Sequence, residues 1–177
     1  MAKVITIKKK TKYQEEISKF LEKIVINAGV GRLSQQPNFE QKILVQVIHD
    51  ISAIAGQKPE IRKAKKSIAG FKTREGQIVG LKITLRRRKM VDFFERMITM
   101  VLPRVRDFRG LDHGFIDDFG TLNVGFPEQM VFPEINPEES PVSFSLGVNI
   151  VPKKKNREMA LNEYRRLGVP LKKVKSL

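Results

Sequence analysis

The chain has 177 residues, 34 of them Lys or Arg and 19 Asp or Glu, for a formal net charge of +15 and a pI near 10.2. That excess attracts polyanions, either nucleic acid or an anionic membrane surface. The absence of Cys excludes disulfides, thiolate metal sites and cysteine nucleophiles, and no run approaches the roughly 18 apolar residues of a membrane span.

Residues 1–21 read as a basic N-terminal extension. Lys8, Lys9, Lys10 and Lys12 form a charge run, Met1–Lys12 does not read as a signal peptide, and residues 13–21 could form a short helix. The remainder, 22–177, reads as a single domain with enough apolar residues, 41% of the chain, for a core. A strand is expected at 23–28, with Ile24, Ile26 and Ala28 on one side and Asn27 on the other; Gly29 and Gly31 break it. A helix is expected from Pro37 to Ala55, where Phe39, Ile43, Val47 and Ile51 form one stripe and Gly56 is the stop.

Short and long strands are expected at 59–63 and 78–87. In the second, Val79, Leu81, Ile83 and Leu85 alternate with Gly80, Lys82, Thr84 and Arg86. Between them, Ala64 to Gln77 is a fourteen-residue connection, a length that inside a compact domain is usually functional or disordered. It carries Lys65, Lys66, Lys72 and Arg74 against one acid, Glu75, with Ser67, Gly70 and Phe71 toward its tip.

A second helix is expected at 90–102, ended or bent by Pro103. From Gly110 to Pro152 there is neither Lys nor Arg, but there are seven acids: Asp112, Asp117, Asp118, Glu128, Glu134, Glu138 and Glu139. The rest of the chain then holds 34 bases against 12 acids. A polyanion would avoid this window, so it faces either solvent or a basic protein. Strand-like pieces fall near 121–125 and 129–132, and a strand is expected at 142–151, with Ser143, Ser145, Gly147 and Asn149 outward. Asn156 is a favoured N-cap for a last helix that stops at Gly168. These elements make an α+β domain in two layers: a mostly antiparallel sheet, helices on one face, and a long protruding basic loop.

No reaction is proposed by these residues. His49 and His113 lack further ligands at metal-binding spacing, Asp117 and Asp118 lack the other oxygen ligands of a cation site, and Gly29-Val30-Gly31 lacks the third glycine of a dinucleotide fingerprint. No cofactor and no metal are expected. The polar face of the sheet offers Asn27, Gly80, Lys82, Thr84, Arg86, Ser143, Ser145, Gly147 and Asn149. Small hydrogen-bonding groups suit the wide minor groove of RNA and its 2′-hydroxyls. A solvated face is the other reading, and the charge total favours RNA. The run Arg86-Arg87-Arg88-Lys89 opens a helix against its dipole, which a nearby phosphate would relieve.

Several motifs, in order, resemble the 5S-rRNA-binding protein family that is fifth in the large ribosomal subunit series, in its bacterial form. They are Gly56-Gln57-Lys58-Pro59, then Lys63 to Lys72, Lys82-Ile83-Thr84-Leu85-Arg86, Asp92-Phe93-Phe94-Glu95-Arg96, Pro103 to Leu111, and Phe132-Pro133-Glu134-Ile135. The resemblance covers about residues 22–152. It implies a non-enzymatic, cytoplasmic protein of the ribosome's central protuberance, with a sheet of about five strands. The family's hydrogen-bonding Asn, Gln and Thr fall on Asn27, Gln57 and Thr84; the polar sheet face and the charge run add Lys82, Arg86, Arg88 and Asn149 as further expected RNA contacts. Its loop toward P-site tRNA falls on Lys65, Lys66, Ser67, Gly70, Phe71, Lys72 and Arg74.

Implied partners are 5S rRNA, 23S rRNA, P-site tRNA, neighbouring 5S-binding ribosomal proteins and a basic small-subunit protein, with no membrane. The small-subunit protein would meet Asp112, Asp117, Asp118, Glu134, Glu138 and Glu139. The sequence departs from the family in a shorter, basic N-terminus, in Pro127 where a basic residue is usual, and in Ile78 where a Pro is usual. An RNA-modifying enzyme is the rival from another class and would need a catalytic constellation. A general RNA chaperone or ribosome assembly factor is the other, and would bind many RNAs alike.

Overall fold

The computed structural model describes residues 11–172; the lysine run at 8–10 and the tail beyond Lys172 lie outside the described residues. The chain opens with helix α1 (Lys12–Phe20), N-capped by the Thr11 hydroxyl, which accepts from the Gln14 N–H. The helix is amphipathic. Ile17 is fully buried, a contribution of about 2 kcal/mol toward docking the helix, and the Tyr13 hydroxyl donates to the Leu167 carbonyl at 2.8 Å.

Five strands follow: β1 (Leu21–Gly29), β2 (Glu60–Lys63), β3 (Ile78–Leu85), β4 (Leu122–Phe126) and β5 (Leu146–Pro152). They form one antiparallel sheet in the order β2-β3-β1-β5-β4. Alternation sends Ile24, Ile26, Ala28, Leu81, Ile83, Leu85, Leu122, Val124, Leu146, Val148 and Ile150 into the core. Buried residues of helices α2 (Leu44–Ala55), α3 (Arg87–Arg96) and α4 (Arg157–Arg166) join the same apolar cluster.

Four expected elements differ from what forms. The helix expected from Pro37 begins later, because Asn38 adopts a left-handed conformation (φ 59°) and sets Pro37 outside. One wide turn, Phe39–Ile43, then leads into α2, and Gly56 closes it in the left-handed region with its N–H on the Ser52 carbonyl. The helix expected at 90–102 starts three residues earlier and changes pitch. It loosens over Met97–Val101 and tightens over Leu102–Arg104, where Pro103 sits.

The strand expected at 142–151 is shortened to Leu146–Pro152. Its lost residues are held by a side chain instead of by a partner strand. The buried Gln129 amide donates to the Val142 carbonyl at 2.8 Å and accepts from the Phe144 N–H at 3.0 Å. Gln129 itself lies in a short 3₁₀ turn, Gln129–Val131, where a strand-like piece was expected. Pro127, which has no N–H to donate, follows directly on the end of β4.

Tyr164 of α4 binds the helix layer to the sheet. Its ring meets Phe20 edge-on at 5.1 Å, and its buried hydroxyl lies 3.0 Å from the Gly120 carbonyl and 3.1 Å from that of Ile150. Burial raises its pKa above the ordinary 10.0, and to a lesser degree raises that of Tyr13. Above pH 10 the unfolded chain therefore ionises first. Stability is fully present below that pH and falls as pH rises, by about 1.4 kcal/mol per pH unit for one fully retained proton. Tyr164→Phe should cost about 1–2 kcal/mol at neutral pH and flatten the alkaline loss; urea melts from pH 8 to 11.5 measure both.

Candidate nucleic-acid interface

Strand register brings the outward residues into rows across the sheet. One row runs Thr84, Val25, Asn149, Asn123, from β3 through β1 and β5 to β4. The next runs Glu60, Lys82, Asn27, Gly147, Gly125. Asn27 is exposed, and Lys82, Thr84, Asn123 and Asn149 are half-buried, on the side away from the helices.

Three amides form a directed chain across these rows. Asn27 Nδ2 donates to Asn149 Oδ1 at 2.8 Å, and Asn149 Nδ2 donates to Asn123 Oδ1 at 2.5 Å. Asn123 Nδ2 in turn reaches the Thr121 carbonyl at 3.3 Å. Each amide is thereby oriented; Asn27 and Asn149 each keep one N–H for a ligand, and all three keep spare acceptor capacity. Asn123 was not singled out from the sequence. The signal was there in Leu122-Asn123-Val124-Gly125-Phe126, which alternates as cleanly as β5 but over fewer residues.

Cations gather at the β3 end of this face. Arg86 lies 3.5 Å from Glu22, whose carboxyl Lys23 and then Arg86 hold below its usual pKa. Arg88 faces Asp92 one turn on at 3.7 Å, with both side chains well exposed. Lys89 donates to the Gly56 carbonyl at 2.8 Å, at the C-terminal end of α2 where a cation suits the dipole. The unfavourable charge run at the start of α3 is thus partly relieved inside the chain. The same bond fixes Gly56, and with it the exposed Gln57 that follows.

The Ala64–Gln77 connection has internal structure. The Ala64 N–H donates to the Gln77 carbonyl and the Gly76 N–H returns to Ala64, closing the stem at 2.8 and 3.0 Å. Ile68 and Thr73 form a bridge around a 3₁₀ turn at Ala69–Phe71, and the Ser67 hydroxyl accepts from the Glu75 N–H. Gln77 and Gln35 tie the loop to the 34–35 segment, through the Ser34 hydroxyl at 2.7 Å and the Phe71 carbonyl at 3.3 Å. Lys65, Lys66, Gly70, Lys72 and Arg74 are exposed, Phe71 is 74% exposed, and Ile68 is 50% exposed.

Three of the seven acids are engaged by partners within the chain. Asp112 caps the Gly114 N–H and lies 3.6 Å from Lys172; the Gly114 bond chiefly, and Lys172, hold its pKa below the usual value. Asp117 accepts from the N–H groups of Phe119 and Thr121 and shapes the turn before β4. Glu134 pairs with Arg96, which also donates to the Ile54 carbonyl at 3.0 Å. Those three carboxylates serve the fold. Asp118, Glu128, Glu138 and Glu139 are exposed, and the turn bearing Glu138 and Glu139 is held down where Ser140 donates to the buried Asp50 at 2.8 Å. Asp50 also accounts for His49, whose exposed ring lies 3.5 Å from it.

Among the described residues no group of three or more His, Asp or Glu side chains is placed to hold a metal ion, and no helix is long and apolar enough to cross a membrane.

Residues 19–74 match the family described as ribosomal protein L5, and residues 78–171 match the C-terminal part of the same ribosomal family. The large ribosomal subunit protein uL5 of Chlorobaculum tepidum is 44% identical over 153 residues, covering 86% of this chain and 81% of that protein. That of Helicobacter pylori strain P12 is 43% identical over 155 residues, covering 88% and 83%. That of Fusobacterium nucleatum is 42% identical over 153 residues, covering 86% and 81%. With both halves of the family matched in order and relatives above 40% identical over most of their length, the chain belongs to the non-enzymatic ribosomal protein L5 family of the large ribosomal subunit.

Proposed function

We propose that this ribosomal protein holds 5S rRNA on the polar face of its sheet and anchors it beside 23S rRNA in the central protuberance, next to other 5S-binding proteins. The observation that carries the reading is the oriented amide chain Asn27–Asn149–Asn123, in line with Thr84 and bordered by Lys82 and Arg86. Oriented amides and a hydroxyl match 2′-hydroxyls and base edges, and the cations match phosphates. Gln57 and Arg88 extend the contact from the α2–β2 turn and the start of α3. A general chaperone would not need amides fixed in one direction, so selective binding is favoured.

The loop reaches P-site tRNA. Its support is a hydrogen-bonded stem that presents Lys65, Lys66, Lys72 and Arg74 together with the exposed Phe71. Glu138, Glu139 and Asp118 meet the basic small-subunit protein, whereas Asp112, Asp117 and Glu134 are already engaged by partners within the chain.

Thr84→Leu places a branched apolar group in the amide row and should weaken 5S rRNA binding about a hundredfold, roughly 2.7 kcal/mol, with the fold intact. Filter binding against a tRNA competitor reads this, and unaltered affinity would remove the sheet from the interface. Changing Lys65, Lys66, Lys72 and Arg74 together to Ala should leave 5S affinity within about twofold. The salt slope of tRNA binding should fall by about 3, at roughly 0.7–0.9 per lost phosphate contact. Glu138→Lys with Glu139→Lys should weaken subunit association in sucrose gradients and spare RNA binding; unchanged association would move the bridge elsewhere.

A further inference from the structure

A groove of about 300 Å³ opens beyond the free edge of β4. Phe115 and Phe108 line it, Gly125 lies in its floor, and Arg106, Arg109 and Lys172 reach its rim. It continues the amide row. The antiparallel bridge between Ile116 and Leu122 brings Phe115 beside Asn123, whose amide lies 3.5 Å from the Phe115 carbonyl. Ile116 is buried, while Phe115 is 46% exposed and lines the groove together with Gly125. A Cβ added at Gly125 would meet no atom within 4 Å, which leaves that space to a ligand.

The rim is built rigidly. The Leu111 N–H donates to the Pro170 carbonyl at 2.7 Å and the Lys172 N–H to the Leu111 carbonyl at 2.9 Å. Gly110, at φ 93°, makes that approach possible, since a Cβ there would sit 3.1 Å from the Pro170 oxygen. Among the described residues neither Arg106 nor Arg109 is ion-paired; Lys172 has Asp112, and Asp107 is the carboxylate lining the groove.

We propose that this groove receives one unpaired nucleotide of the RNA that lies on the sheet, with its base stacked on Phe115 above Gly125 and its phosphate held by Arg106, Arg109 and Lys172. The proposal rests on the sheet-face reading and adds to it a recognition element at the opposite edge from Lys82 and Arg86. A flat aromatic beside an amide edge, in a groove that two arginines also line, is the combination that reads a splayed-out base. An acidic peptide would use the cations but would leave the open glycine floor and the adjoining amide row without a role.

The chain contains no Trp, so Phe115→Trp installs a single tryptophan reporter. With the full chain and 5S rRNA, the Trp variant should bind within about twofold of the parent, and base stacking should strongly quench its emission. Phe115→Ala should bind about five- to a hundredfold more weakly. Phe115 is half exposed, so both variants should keep the parent's melting profile. Saturating RNA with unchanged Trp emission, or full affinity in the Ala variant, would overturn the proposal. So would quenching by a polyglutamate peptide and not by RNA. A single-stranded oligoribonucleotide should quench the reporter where its duplex does not. That result without any preference for 5S rRNA would leave the groove standing and remove the 5S assignment.

Discussion

The register of β1 between β3 and β5 is the constraint on which the molecule depends. β1 is paired along almost its whole length on both sides, from Ile24 opposite Leu85 and Ile150 to Ala28 opposite Leu81 and Leu146. Every second residue of these strands is buried and apolar, so a slip by one residue would send the apolar set to water and the polar set under the helices. The same register aligns Thr84, Asn149 and Asn123 into one row. Hydrophobic burial thus positions the hydrogen-bonding surface, although none of the polar residues contributes to the core.

Charge is distributed along the strand order. Lys82 lies on β3, Arg86 follows directly on its end, and the long loop joins β2 to β3, while the groove with Arg106 and Arg109 opens at β4. Four strand spacings, about 19 Å, separate the two edges. A folded RNA spanning the sheet can meet cations at both margins with the amides between them. The exposed acids of the 128–139 stretch lie in the chain between β4 and β5 and belong to no strand.

Irregular segments are held by a few side-chain hydrogen bonds. Gln129 replaces strand pairing for Val142 and Phe144, Asp50 holds Ser140, and Arg96 joins α2, α3 and Glu134. In the basic loop, the Ser67 hydroxyl and the Gln77 amide do the same for a chain with almost no buried side chains. Such contacts let connections that would otherwise be mobile present charged groups in fixed positions.

Periodicity in the sequence already determined the α+β class, the inward and outward faces of β1 and β3, the Gly56 and Asn156 helix boundaries and the separation of acid from base, because those depend on near neighbours along the chain. Motif order carried the family. Asn27 and Thr84 were legible as outward residues for the same reason, while Asn123 was hidden in a strand too short to stand out. Tertiary structure alone decided that three asparagines from distant segments share one hydrogen-bonded line, that Glu134 is engaged by Arg96, and that Phe115 and Lys172 line one groove with Gly125. Each of these joins residues far apart in sequence, so no local pattern along the chain announces it.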